Sequence, residues 1–135
     1  DLLNAASTPE ETEAGQRGVA VTQSSLAALL RTRGQYDEAE RLYQSGLAIC
    51  RAIRDLQGIG VFLMGLAQTA LVKGDREGAA ALLTEARQRF VDIGLSNWAQ
   101  QAEQLLAQAQ GRVLTLDDLV AMVRSARGGD GQAGE

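Results

Sequence analysis

Cys50 is the one thiol in the chain, and it has no obvious base to activate it. A cysteine nucleophile wants a base within hydrogen-bond reach, and the sequence contains no histidine. The same absence removes the commonest metal ligand. A single cysteine also cannot close an internal disulfide. Cys50 stands beside Ile49 and Ile53 in a helical pattern, which predicts a buried, inert thiol. Gly58-Ile59-Gly60, followed by Gly65, has the outline of a phosphate loop. That motif needs a strand before it and another glycine spacing, and here a helical pattern precedes it. The glycines, repeated from Gly18, read as places of close packing between units. Arg31, Arg33, Arg51 and Arg54 can be balanced by Asp55 and Glu40, which predicts a solvated face. Asp117 and Asp118 are adjacent, so on a helix they point to different sides and predict a helix start, not a metal pair. Trp98 has two readings: packing at a boundary between units, or an exposed contact anchor. No constellation for catalysis, cofactor or metal emerges.

The elements that carry these residues are helices. Aromatics are 4% of the chain against 45% hydrophobic residues, so the apolar content is mostly Ala and Leu, which favour helix over strand. A net charge of −4 gives no global attraction to nucleic acid or to anionic membranes. No apolar run reaches the length of a membrane span, and the first residues are not a signal peptide. The chain reads as a piece of a longer, soluble, cytoplasmic protein.

A shift of 40 residues lays the sequence on itself without a gap. Gly18-Val19-Ala20-Val21 falls on Gly58-Ile59-Gly60-Val61, Leu26-Ala27 on Leu66-Ala67 and then Leu106-Ala107, Gly34 on Gly74, and Ala39 on Ala79. Each unit reads as two helices joined by a turn. Gly34 and Gly74 sit where a helix end needs a left-handed residue. Asp37 and Asp75 lie at the start of the next helix, where a short acidic side chain can cap free amides. Thr8-Pro9-Glu10-Glu11 is a helix start. The expected organisation is the end of a preceding helix and a helix start over 1–14, then repeats over 15–54 and 55–94. A degenerate third repeat with a capping helix follows over 95–127, and a disordered Gly-rich tail over 128–135.

This pattern resembles the tetratricopeptide repeat. The family's positions are filled in unit one by Leu26, Ala27, Gly34, Tyr36, Ala39, Tyr43 and Gly46. Unit two fills them with Leu66, Ala67, Gly74, Ala79, Leu83 and Ala86, and departs at Arg76, where unit one has Tyr36. Unit three keeps Leu106 and Ala107 and loses the turn glycine. Small residues let the helices approach, while Leu26 and Tyr43 fill the gaps between them. The usual unit is about 34 residues. The longer unit here is similar to that of kinesin light chains, bacterial peptide-sensing regulators and the sensor regions of signalling ATPases. The resemblance implies an all-α, right-handed superhelical solenoid of antiparallel helix pairs, with two and a half to three repeats.

It also implies that the first helices line a concave face that binds protein or peptide. The residues expected there are Ser24, Ser25, Ala28 and Arg31 in unit one, and Val61, Met64, Gln68 and Leu71 in unit two. Unit three adds Gln101, Gln104 and Gln108. They form either a groove with an apolar anchor near Met64, or, for Val61, Met64 and Leu71, packing against neighbouring helices. The Lys, Asn and Arg with which some members clamp a peptide carboxylate are missing. The expected function is a non-catalytic protein-protein interaction module, the sensor or scaffold part of a larger bacterial signalling protein. Two alternatives stand beside it: a self-associating module and a peptide-sensing regulator domain. The helix at 116–126 either caps the stack or leaves an apolar edge that pairs with a second copy.

Overall fold

Five helix starts follow a constant stride of 20 residues, and one local device produces the stride. A computed structural model of the chain describes residues 8–111 and 116–131. Its helices are α1 Pro9–Thr32, α2 Tyr36–Ala52, α3 Leu56–Val72, α4 Arg76–Asp92, α5 Ser96–Ala109 and α6 Leu116–Gly131. The first four turns are alike. At Gly34, Gly74 and Gly94 the backbone is left-handed, with φ of 82°, 89° and 76°. The next amide then donates back into the finished helix: Gln35 N to Leu30 O at 2.9 Å, Asp75 N to Ala70 O at 2.8 Å, Leu95 N to Phe90 O at 2.9 Å. This closes helix carbonyls that would otherwise lack a donor. Arg54 holds the same place with φ 58°, and Asp55 N donates to Cys50 O at 2.9 Å. The device is backbone geometry, and glycine is its low-cost occupant.

Helix starts are less uniform. Thr8 forms a reciprocal capping box with Glu11, both bonds at 3.1 Å, and Pro9 opens α1. Asp75 caps α4 through the Gly78 amide at 2.9 Å, as its position predicts. Asp37 does not cap: α2 begins at Tyr36, so Asp37 is already helical and its carboxylate cannot reach back to the free amides. It accepts from Lys73 Nζ at 2.8 Å instead, and that ammonium holds the Asp37 carboxyl below its ordinary pKa. The second capping aspartate is Asp55, on the Gly58 amide at 3.1 Å.

α1 starts at the Thr8 cap, where the sequence predicts a helix start. It runs unbroken through residue 15, because Gly15 and Gly18 are ordinary helical residues and no turn signal separates them from the Thr8 cap. At the other end α6 continues past Gly128 to Gly131: glycines weaken a helix without forbidding it. Of the expected helix tail over 1–8 only residue 8 falls within the described residues, and 112–115 and 132–135 also lie outside them.

Consecutive helices pack pairwise from α1 to α5, and α3 also touches α1 and α5. α3 is therefore covered on most sides, and Ile59, Phe62, Leu63, Met64, Leu66 and Ala67 are all buried. The family's small positions sit where helices come closest. Ala27, Ala39, Ala67, Ala79 and Ala86 are sealed from solvent, with Tyr43 and Leu83 beside them. Two glycines act as hollows for rings. A β-carbon on Gly65 would collide with Tyr43, and one on Gly46 with the Phe62 ring. Tyr43 and Phe62 in turn meet edge to face, with centroids 6.2 Å apart. Gly18 packs against nothing, so the close-packing role belongs to the second unit's glycines and not to their copy in the first. Leu26 also departs from expectation: it is 46% exposed, whereas its counterpart Leu66 is 7%. Leu66 has a preceding helix above it and Leu26 has none among the described residues. Trp98 is half-buried and stacks on Phe90 at 5.4 Å, so it packs at the junction of units two and three.

Candidate interaction surface

The first helices of the three units, α1, α3 and α5, lie side by side, and two clefts open between them. The larger, about 600 Å³, lies between α1 and α3. Ser24 and Ser25 from α1 and Val61 from α3 line it, as the concave-face reading expects. Its floor and walls add Ala20, Val21 and Phe62, with Arg17, Asp55 and Gln57 at the polar side. Arg17 Nε stands 3.5 Å from Asp55 Oδ2, so the two charges at this end are largely spent on each other. Cys50 also lines the cleft but is buried. Burial, and then the Asp55 carboxylate, push its thiol pKa up from the ordinary value, against a smaller opposing pull from Arg17. A thiol held protonated is a poor nucleophile, in line with the inert role the sequence predicts.

The smaller cleft, about 290 Å³, lies between α3 and α5. Met64 and Gln68 face Gln101, Gln104, Leu105 and Gln108 across it. Four of the six lining residues are glutamines, so it offers amide donors and acceptors with no net charge. Met64 is only 7% exposed, so it is a piece of the core whose edge shows in the cleft, not a free-standing anchor. Ala28, Arg31 and Leu71 line neither cleft; all three are half-buried along the same helices.

Sequence reasoning missed Arg17, Val21 and Gln57. The concave-face expectation begins at Ser24 on the first helix of unit one and at Val61 on that of unit two. A helix running from the Thr8 cap places Arg17, Val21 and Ser24 on one face, at spacings of four and three residues. That signal was legible.

Ion pairs stitch the units together on the other faces. Arg51 grips Glu85 with two bonds, at 3.0 and 3.1 Å, and Arg87 reaches Glu103 at 3.5 Å. Lys73 bridges to Asp37 at 2.8 Å and to Glu40 at 3.0 Å, so its own pKa is raised. Of the arginines expected on a solvated face, Arg33, Arg51 and Arg54 are exposed and Arg31 is half-buried; neither expected acid balances them, since Glu85 takes Arg51, Asp55 takes Arg17 and Glu40 takes Lys73. Helical proximity along one segment suggested the first pairing; packing between units decided the second. Among the described residues no cluster of three or more metal-ligating side chains occurs, and no helix is long and apolar enough to cross a membrane.

A family model described as tetratricopeptide repeat matches residues 18–92, from the first turns of the larger cleft through the end of α4. No curated protein and no solved structure matches the chain.

Proposed function

We propose that this chain, which belongs to the tetratricopeptide repeat family, is a non-catalytic protein-interaction module whose first helices hold a segment of a partner protein. Repeats of this family generally serve protein-protein interaction, and the observation that carries the finer reading is the pair of clefts between α1, α3 and α5. The larger, about 600 Å³, is wide enough for side chains and has an apolar floor of Ala20, Val21, Val61 and Phe62. The smaller presents a row of glutamine amides. A matching partner segment is uncharged, sets an aliphatic or aromatic side chain into the first cleft and lays polar backbone along the second. The charges nearest the clefts, Arg17 and Asp55, already face each other, which disfavours a strongly charged ligand. The similarity of the 40-residue unit to bacterial sensor and regulator proteins supports a place in a larger cytoplasmic signalling protein.

A peptide selected from a displayed library against the intact protein is the probe. Val21→Arg and Gln104→Arg each place a charge in one cleft at an exposed position. Each is expected to weaken peptide binding about tenfold or more, roughly 1.4 kcal/mol. Gln88→Arg, on the exposed side of α4, is expected to leave it unchanged. Equal binding by all three variants would rule out the first-helix face.

A further inference from the structure

α1 carries an apolar stripe that the fold leaves uncovered. Val19, Leu26 and Leu29 are all about half exposed and share a face with Thr22, at spacings of three and four residues. Forty residues on, the same positions are Ile59, Phe62, Leu66 and Thr69, and all four are buried. On α3 that stripe meets α2 at Phe62, whose ring lies against Tyr43 and Gly46, and α5 packs against α4 in the same order. The second helix of a unit is thus what this fold lays on the stripe of the next first helix.

The opposite end of the stack has the opposite character. The side of α5 that would receive α6 carries Gln100, Glu103 and Gln110, all exposed. The corresponding residues of α3 are Gly60, Leu63 and Ala70. A polar outer face ends a solenoid without needing a cover. Among the described residues α6 accordingly makes no contact with α1–α5, and its Leu116, Val120 and Val123 are exposed, Val123 to 54%. α6 is the second helix of unit three, in register with α2 and α4.

We propose that α6 of one copy docks on the α1 stripe of a second copy, in the way α2 docks on α3. Three matches support the fit. Val123 stands where α2 has Tyr43, and it would meet Ser25 where Tyr43 meets Gly65: the smaller knob faces the shallower hollow. Ala126 stands where α2 has Gly46, and it would meet Thr22 where Gly46 meets Phe62: the larger residue faces the smaller one. At both contacts the change on one helix is offset in part by the opposite change on the other. Charge matches as well. Lys73 at the end of α3 binds Asp37 at the start of α2 at 2.8 Å, and the same positions hold Arg33 on α1 and Asp117 on α6, both exposed. The contact is heterologous, so two copies can close it reciprocally or many can extend it. It shares Ser25 with the larger cleft, and Val123→Lys on α6, outside both clefts, separates its failure from that of the peptide-binding reading.

Light scattering and sedimentation of the intact chain across a dilution series test it. The wild type is expected to associate as concentration rises. Leu26→Lys and Val123→Lys, both at exposed sites and checked for folding by circular dichroism, are each expected to weaken association at least tenfold. Mixing the two variants is expected to restore a dimer and nothing larger, because one retains a working α6 and the other a working α1. Asp117→Arg is expected to weaken association and Arg33→Asp in the same chain to restore it. A wild type that stays monomeric at every concentration would overturn the proposal. So would loss of association in Leu26→Lys alone, with no recovery on mixing, since that is the signature of α1 pairing with α1.

Discussion

Arg54 is the residue at which this chain departs most plainly from its own rule. It holds φ 58°, a left-handed conformation that costs a side-chain-bearing residue about 1–2 kcal/mol, at a turn where the neighbouring units use glycine. Its helix ends by the same back-bond as theirs, so the strain has no visible structural return. Arg54→Gly is therefore expected to stabilise the fold by about 1 kcal/mol, since the relief of left-handed strain exceeds the cost of glycine's extra chain entropy. A urea titration reads this as a higher midpoint with an unchanged slope. A lower midpoint would mean that the Arg54 side chain does something the backbone geometry does not reveal. Gly34 and Gly74 were legible as left-handed turns because glycine advertises the conformation. Arg54 was not legible, because the residue type hides the geometry and only the stride of the neighbouring turns gives it away. The burial of Cys50 was legible, since it stands beside Ile49 and Ile53 in a helical pattern.

At the scale of the element, the second helices are set by small residues at fixed places. Ala39 and Ala79 have no exposed surface, and each stands on a second helix that packs against the first helix of its own unit. Ala79→Leu is expected to overpack that crossing and cost about 1–3 kcal/mol, with Ala39→Leu behaving alike. Thermal unfolding checks it; an unchanged melting temperature would misplace the turns. Helix ends read less well than helix faces. Asp37 and Asp75 both looked like caps, and only Asp75 is one, because one residue of slip at the start of α2 turns a cap into a first-turn side chain. The concave face was expected only from Ser24 onward on the first helix, which left out Arg17 and Val21, two residues that frame the larger cleft.

For the whole molecule, the repeat made the all-α stack legible and left its ends ambiguous. A shift of 40 residues equates Leu26 with Leu66, yet one is half exposed and the other buried, since periodicity records what a unit contains and not whether a neighbour covers it. The same limit applied to α6, whose sequence allows a cap or an open edge; the polar outer face of α5 is what argues against a cap. Met64 shows the limit inside the stack. Its position on a first helix marked it for the concave face, while coverage of α3 by four other helices draws it into the core. The exposed residues around it, Gln101, Gln104 and Gln108, are the ones that remain available.

The central claim is that partners bind along the first helices. The direct measurement is backbone amide chemical-shift mapping of the isotope-labelled chain while the library-selected peptide is titrated in. Shifts concentrated at Val21, Ser24, Val61, Gln101 and Gln104, with α2 and α4 quiet on their outer sides, are the predicted result. Shifts gathered instead on the outer sides of α2 and α4 would contradict it.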